Sequence, residues 1–201
     1  MTGGRRWPWR LAWLAGAAVV LVLTATGPYR LIFGTVAGSA AAGRDSPCLP
    51  GQAVDILDSP HISPAQAPFV HYNSSPPTSG PHYAFTVATG IYASPVPDGL
   101  VVHALEHGHV AILYAPGTAR ADVDVLIGLA RRYGADVVLA PYPGLPTGIA
   151  LTAWGRIEML DRPDDTRISS FVEALRGRYD HGWARSDDCP ADGSDGTISG
   201  S

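Results

Sequence analysis

The sequence predicts an α+β or mixed α/β fold: one compact exported domain with a small sheet and two to three helices, after an N-terminal transmembrane helix. Three observations indicate this. An uncharged apolar stretch lies near the N-terminus, a proline-rich stretch follows, and the remainder alternates between buried-strand and amphipathic-helix patterns. A chain of 201 residues can bury one ordinary core, so a single folded domain with appendages is expected.

The N-terminal segment has the composition of a membrane anchor. Residues 11–29 carry no charge and approach the roughly 20 residues that a helix needs to cross a bilayer. Arginines in residues 1–10 precede them, so the positive-inside rule predicts a cytoplasmic N-terminus. A cleaved signal peptide is the alternative, although no clear small-x-small site follows the apolar core. We expect a single-pass cell-membrane protein whose C-terminal domain lies outside.

Composition also predicts the other boundaries. Residues 30–47 suit a flexible linker, residues 48–189 an extracytoplasmic domain, and residues 190–201 a disordered acidic tail. Cys48 and Cys189, the two cysteines of the chain, flank the domain, and in an oxidising compartment they are expected to form a disulfide. A redox or metal role for this pair is the alternative.

The charge of the exported part excludes one class of partner. All 18 acidic residues lie at or after Asp45, with only nine of the 14 arginines, so this part carries a net charge of −9. Nucleic acid is therefore not expected as a ligand. The membrane is expected as a partner only through the N-terminal helix, and a protein or glycan partner stays open.

The first half of the domain is rich in loops. Proline recurs through residues 58–100 and excludes long helices there, although FVHY at residues 69–72 could form a short strand. The stretch PPTSGPHY at residues 76–83 combines an extended backbone with a turn, so it would present His82 from a stiff loop.

The second half of the domain is regular. VVHALEH predicts a short helix that Gly108 ends, and HVAILY, DVVLAP and GIALTAW predict buried strands. Between the first two strands, TARADVDVLIGLARRY predicts a helix with Val123, Ile127 and Ala130 facing inward. A last helix, RISSFVEALRGRY, begins after a capping aspartate at position 164 or 165. Its predicted inward residues are Ile168, Phe171, Val172 and Leu175.

The stretch HALEHGHV at residues 103–110 holds three of the seven histidines. On a helix, His103 and His107 are one turn apart and can share one metal ion. HALEH also matches the H-x-x-E-H arrangement of inverted zinc peptidases, in which the carboxylate, here Glu106, acts as base on metal-bound water. The small domain and the helix stop at Gly108 disfavour that enzyme class, and Glu106 remains the candidate catalytic residue.

Three long stretches of the chain resemble a known bacterial family. HYNSSPPTSGPHY, GIYASPVPDGLVVHALEHGHVAILY and VVLAPYPGLPTGIALTAWGRIEMLD are similar to the membrane-anchored proteins grouped as domain-of-unknown-function family 3105, with PPTSGPH and LEHG as signatures. The similarity spans roughly residues 54–180. The resemblance implies an N-terminal anchor and an external domain, and no established activity.

The family pattern selects four of the histidines. Its recurring histidines match His61, His82, His103 and His107, whereas His71 and His109 look particular to this sequence. With Glu106, these four form a candidate zinc or copper site, because neutral imidazole suits both metals. The alternative is a structural role, in which the imidazoles hydrogen-bond loop carbonyls and one another. In that case no cofactor is expected.

Three function classes stay open, and the sequence leaves enzyme against non-enzyme undecided. The first is a metal-binding domain, with zinc-dependent hydrolysis as a lesser variant. The second is a non-catalytic envelope module that binds through Tyr72, Tyr83, Tyr92 and the PVPDG loop. The third is a redox enzyme that uses the two cysteines, ranked last because the chain has no CxxC motif.

Overall fold

A computed structural model describes residues 48–183 of the protein. The predicted transmembrane helix, the linker up to residue 47, the acidic tail and Cys189 lie outside the described residues, so the anchor and the Cys48–Cys189 disulfide stay predictions. Within residues 48–183, no helix has the length and apolar character needed to cross a membrane.

A mixed sheet forms the centre of the domain. The strands are β1 (Gln52–Ala53), β2 (His61–Ile62), β3 (His82–Tyr83), β4 (Gly90–Ile91), β5 (Val110–Tyr114), β6 (Val137–Pro141), β7 (Ile149–Ala153) and β8 (Arg156–Leu160). Six of them form the central sheet in the order β1-β8-β7-β5-β6-β4, and the two short strands β2 and β3 pair separately. The helices are α1 (Asp98–Glu106), α2 (Arg120–Arg132) and α3 (Asp165–Leu175), with a 3-10 helix at Pro64–Phe69. Within residues 48–183, the class and the number of helices predicted for the compact domain are confirmed.

The middle of the sheet is buried on both faces. β5 pairs parallel with β6 and antiparallel with β7. Its side chains alternate, with Val110 and Ile112 in the core beneath α2 and α3, and Ala111 and Leu113 in the core beneath α1. A continuous apolar run such as VAILY is typical of a strand covered on both sides. The domain is therefore three layers deep, and α1 lies opposite the other two helices.

The start and the inward face of α3 agree with the sequence pattern. The side chain of Asp164 accepts a hydrogen bond from the Arg167 amide at 3.0 Å, which caps the helix. All four residues predicted to face inward on α3 are buried. On α2, Ala130 is buried as predicted, but Val123 and Ile127 are half-buried, because Leu126 and Leu129 point at the sheet instead.

One strand prediction was wrong, and one strand was missed. FVHY is not a strand, because Phe69 ends the 3-10 helix and is 78% exposed, so its apolar side chain has no core to join. RIEML was not recognised as a strand, although β8 pairs antiparallel with β7 along five residue pairs. The two strands are joined by a tight turn at Trp154 and Gly155, so GIALTAW is the first half of a hairpin.

Gly108 ends α1 as predicted, in a Schellman motif. The His109 amide donates to the Ala104 carbonyl at 3.1 Å, and the Gly108 amide donates to the Leu105 carbonyl at 3.0 Å. Gly108 has φ +80°, and a Cβ atom there would stand 2.5 Å from the Tyr179 carbonyl oxygen. Only glycine fits this position, because both the backbone conformation and the neighbouring segment exclude a side chain.

We predict that Gly108→Ala lowers the free energy of unfolding by at least about 2 kcal/mol, through left-handed strain and the clash with Tyr179. Gly128→Ala is the matched control, since Gly128 lies exposed inside α2 with no atom within 4 Å of the added Cβ. That control should gain about 0.5–1 kcal/mol from helix propensity. Urea unfolding measures both, and equal effects of the two substitutions would contradict the assignment of Gly108.

Candidate functional site

The PPTSGPH loop is buried and held at several points, which fixes the residue that follows it. Pro76 to Gly80 are buried, and a cis peptide bond joins Ser75 to Pro76. The Ser79 hydroxyl accepts a hydrogen bond from the Leu57 amide at 3.0 Å, and the Thr78 carbonyl accepts one from the Gly155 amide at 3.1 Å. These bonds tie the loop to Leu57 and to the β7–β8 turn, and they leave His82, the first residue of β3, with little freedom.

Short-strand pairing brings a second histidine to His82. β2 runs parallel to β3, with His61 directly opposite His82. The two ring centroids are 5.1 Å apart. His82 is fully buried and His61 is exposed, so His61 covers the outer side of the pair.

Helix α1 supplies the other members of the cluster from its last turn. His103 lies with its ring centroid 4.8 Å from that of His82 and 5.4 Å from that of His61. Glu106, one turn further along, places Oε2 3.1 Å from His82 Nε2. His103 and Glu106 are each only 6% exposed. His61, His82, His103 and Glu106 thus offer four ligand atoms that all lie within 4.8 Å of one another, and we call them the inner cluster.

Backbone carbonyls fix the proton positions on two rings of the inner cluster. His82 Nδ1 lies 2.9 Å from the Gly80 carbonyl oxygen, and His103 Nδ1 lies 2.6 Å from the Tyr83 carbonyl oxygen. A carbonyl oxygen can only accept, so Nδ1 must be the protonated donor in both rings. In the neutral imidazole, the lone pair of each ring is then on Nε2.

The lone pair of His82 faces another acceptor. His82 Nε2 points to the Glu106 carboxylate, yet within residues 48–183 this buried nitrogen has no hydrogen-bond partner. A neutral His82 and an ionised Glu106 would both present lone pairs across 3.1 Å. Such a contact requires either a proton shared between the two atoms or a bound cation between them.

Electrostatics favour the neutral form of His103. Burial lowers the pKa of His103 below its ordinary value of 6.5, the hydrogen bond to Tyr83 partly offsets this, and the neighbouring His82 and His107 lower the pKa further. His103 is therefore neutral at pH 7 with its lone pair on Nε2, and neutral imidazole is the form that binds metal.

His107 touches the inner cluster but belongs to a second group. Its Nε2 lies 3.0 Å from His103 Nε2, while its Nδ1 lies 3.4 Å from Asp180 Oδ1. His107, Asp180 and His181 offer a second set of ligand atoms within 4.8 Å of one another, and we call these residues the outer cluster. The structure thus gathers the predicted ligands His61, His82 and His103 with Glu106, and places His107 at the border.

Asp180 and His181 were missed in the sequence. They follow α3 in a segment that folds back over the end of α1, where the Gly177 amide donates to the Gly108 carbonyl at 2.8 Å. No local spacing links these residues to HALEH, because more than 70 positions separate His107 from Asp180. His71 is exposed and His109 half-buried, and neither belongs to the inner or the outer cluster.

The tyrosines considered for a binding surface have roles within the fold. Tyr83 is buried, and Tyr72 and Tyr92 are half-buried. The Tyr72 hydroxyl donates to the Pro81 carbonyl at 2.8 Å, and the Tyr92 hydroxyl donates to the Ala88 carbonyl at 2.6 Å. These three side chains therefore do not form an exposed aromatic surface.

We predict that, in the metal-free protein at pH 8, Nδ1 carries a proton in both His82 and His103, as the hydrogen bonds to the Gly80 and Tyr83 carbonyls require. Two-dimensional NMR that correlates the ring nitrogens with the carbon-bound ring protons distinguishes the tautomers. His71, which is exposed, serves as the internal reference and should show the mixture typical of a free imidazole. An Nε2–H tautomer at either His82 or His103 would contradict the carbonyl-fixed arrangement.

Comparison with known proteins gives a family but no activity. The family model described as protein of unknown function (DUF3105) matches residues 61–188, which include both clusters. Comparison with curated proteins found no match, and comparison with solved structures found none either. Because the matched segment covers more than half of the chain, this protein belongs to the DUF3105 family.

Proposed function

We propose that this protein is a metal-binding protein of the cell envelope, which holds one zinc or copper ion in the inner cluster. In this proposal the ligands are His61, His82, His103 and Glu106. The observation that carries it is the pair of Nδ1–H bonds from His82 and His103 to backbone carbonyls, which turn Nε2 of both rings toward other ligand groups. Metal-binding histidines in proteins typically donate their second ring nitrogen in this way, which fixes the ring and raises its basicity.

The spacing of the ligand atoms supports a tetrahedral ion. With zinc–ligand bonds of about 2.0–2.1 Å, two ligands of a tetrahedral site lie about 3.3 Å apart. The distance of 3.1 Å between His82 Nε2 and Glu106 Oε2 is close to that value. A cation between these atoms would also satisfy the buried nitrogen that lacks a hydrogen-bond partner within the described residues.

The chemistry of the ligands favours a divalent ion. Three imidazoles and a carboxylate suit Zn²⁺ or Cu²⁺, whereas Cu⁺ favours thiolate and thioether sulfur. Four protein ligands fill a tetrahedral shell, as in structural zinc sites, while catalytic sites keep one position open for water. Glu106 lies among the ligand atoms rather than beside them, so we propose metal binding rather than hydrolysis as the function of HALEH.

Metal uptake by the full chain tests this proposal. The protein, purified in detergent without an added histidine tag and stripped with a chelator, is equilibrated with Zn²⁺ or Cu²⁺ in the presence of a competing chelator. We expect one tightly bound ion per chain. Glu106→Gln, which keeps the shape of the side chain and removes its charge, should weaken binding by about 10-fold or more. His82→Gln should abolish tight binding.

The matched control is His71→Gln, because His71 is exposed and outside both clusters. This variant should bind metal as the parent does. Circular dichroism and thermal unfolding establish that each variant is folded. A folded parent that takes up neither metal would contradict the proposal, and so would a His82→Gln variant with parental affinity; the histidines would then be structural members of a non-catalytic module.

A further inference from the structure

From the outer cluster we infer a second divalent-cation site, which adjoins the inner cluster and is linked to it through Glu106. Its ligands would be His107, Asp180 and His181. This inference rests on the proposed function in one respect only, since the link through Glu106 presupposes an ion in the inner cluster. The three ligands of the outer site are not members of the inner cluster.

The outer cluster is built by two segments that backbone hydrogen bonds hold together. The His181 amide donates to the Glu106 carbonyl at 3.2 Å, and the Asp180 amide donates to the Gly182 carbonyl at 2.9 Å. His181 has φ +51°, in the left-handed region that residues other than glycine seldom adopt. These constraints place the His181 ring against His107, with a distance of 4.6 Å between the ring centroids.

The charge and position of the outer cluster favour a cation. His107 follows the last residue of α1, where the carbonyl end of the helix dipole is negative. Asp180 adds a carboxylate 3.4 Å from His107 Nδ1. Two imidazoles and a carboxylate form a common three-residue ligand set for zinc, which leaves a fourth position for water. The side chains of His107, Asp180 and His181 are 37%, 63% and 55% exposed, so an ion there would meet solvent.

Two contacts connect the outer cluster to the inner one. The same carboxylate oxygen, Glu106 Oε2, lies 3.1 Å from His82 Nε2 and 3.5 Å from His181 Nδ1. His103 Nε2 and His107 Nε2 are 3.0 Å apart, in a hydrogen bond that an inner ion bound to His103 Nε2 would replace. Glu106 therefore lies between the buried inner cluster and the exposed outer cluster. A carboxylate that bridges the two ions of a two-metal site has the same position. The chemistry predicts a pair of neighbouring ions, the inner one closed by protein and the outer one open to an exchangeable ligand.

Stoichiometry and magnetic coupling together test the second site. The full chain is titrated with Cu²⁺ and followed by electron paramagnetic resonance, and Zn²⁺ uptake is measured by equilibrium dialysis without a competing chelator. We expect two ions per chain. The first equivalent of Cu²⁺ should give the spectrum of an isolated ion, and the second should broaden that spectrum or reduce its intensity, because the two ions are neighbours.

The variant Asp180→Asn, His181→Gln separates this inference from the proposed function. It should bind one ion tightly, as the parent does in the inner cluster, and should show no broadening with further Cu²⁺. His71→Gln is again the control and should bind two ions. One ion per chain in both the parent and the double variant would overturn the second site and leave the proposed function intact. Two coupled ions in the double variant would also overturn it. If the parent lacks the tight ion altogether, the proposed function fails.

Discussion

The arrangement of the inner cluster depends on hydrogen bonds from two histidines to backbone carbonyls. His82 donates to Gly80 and His103 donates to Tyr83, so both carbonyl acceptors come from one short segment that includes β3. Each bond fixes a tautomer, and each fixed tautomer directs a lone pair away from the backbone. These tautomers decide which atoms donate and which accept in the other contacts of the cluster. The lone pair of His82 faces the Glu106 carboxylate, and that of His103 faces the His107 imidazole.

The rest of the fold holds these two carbonyls and the end of α1 in place. The PPTSGPH loop is buried and tied to the β7–β8 turn, so the Gly80 carbonyl cannot move without disturbing the central sheet. Gly108 stops α1 directly after Glu106 and His107, which leaves these side chains at the free end of a buried helix. A site with fixed ligands loses little conformational entropy when an ion binds. Without an ion, the same geometry requires a proton between His82 Nε2 and Glu106 Oε2, and this is the physical distinction between a metal site and a structural cluster.

Much of the regular half of the fold could be predicted from the sequence, because its signals are local. The stop at Gly108, the Asp164 cap and the inward residues of α3 depend on spacing within one or two turns of helix. FVHY was assigned wrongly because a local signal was not supported by tertiary packing. Its apolar residues have strand-like spacing, but no core lies beside Phe69 to receive them. RIEML alternates polar and apolar residues, yet its burial runs against that alternation, since Arg156 is buried and Met159 is exposed. Pairing with β7 determines its structure.

The site was only partly predictable for a similar reason. The proximity of His103, Glu106 and His107 follows from helical spacing, whereas the approach of His61 and His82 depended on the resemblance to the family. Asp180 and His181 could not have been found, since they reach α1 through tertiary hydrogen bonds far along the chain. The role of Glu106 was not predictable either, because tertiary packing places its carboxylate among the imidazole nitrogens.

Anomalous X-ray diffraction from crystals of the zinc-loaded full chain, recorded on both sides of the zinc absorption edge, tests the central claim most directly. The account predicts an anomalous peak bonded to His82, His103, His61 and Glu106, with the Nδ1 bonds to Gly80 and Tyr83 intact. Crystals soaked in zinc that show no peak among these four side chains, or that show His82 in a direct ion pair with Glu106 instead, would contradict it.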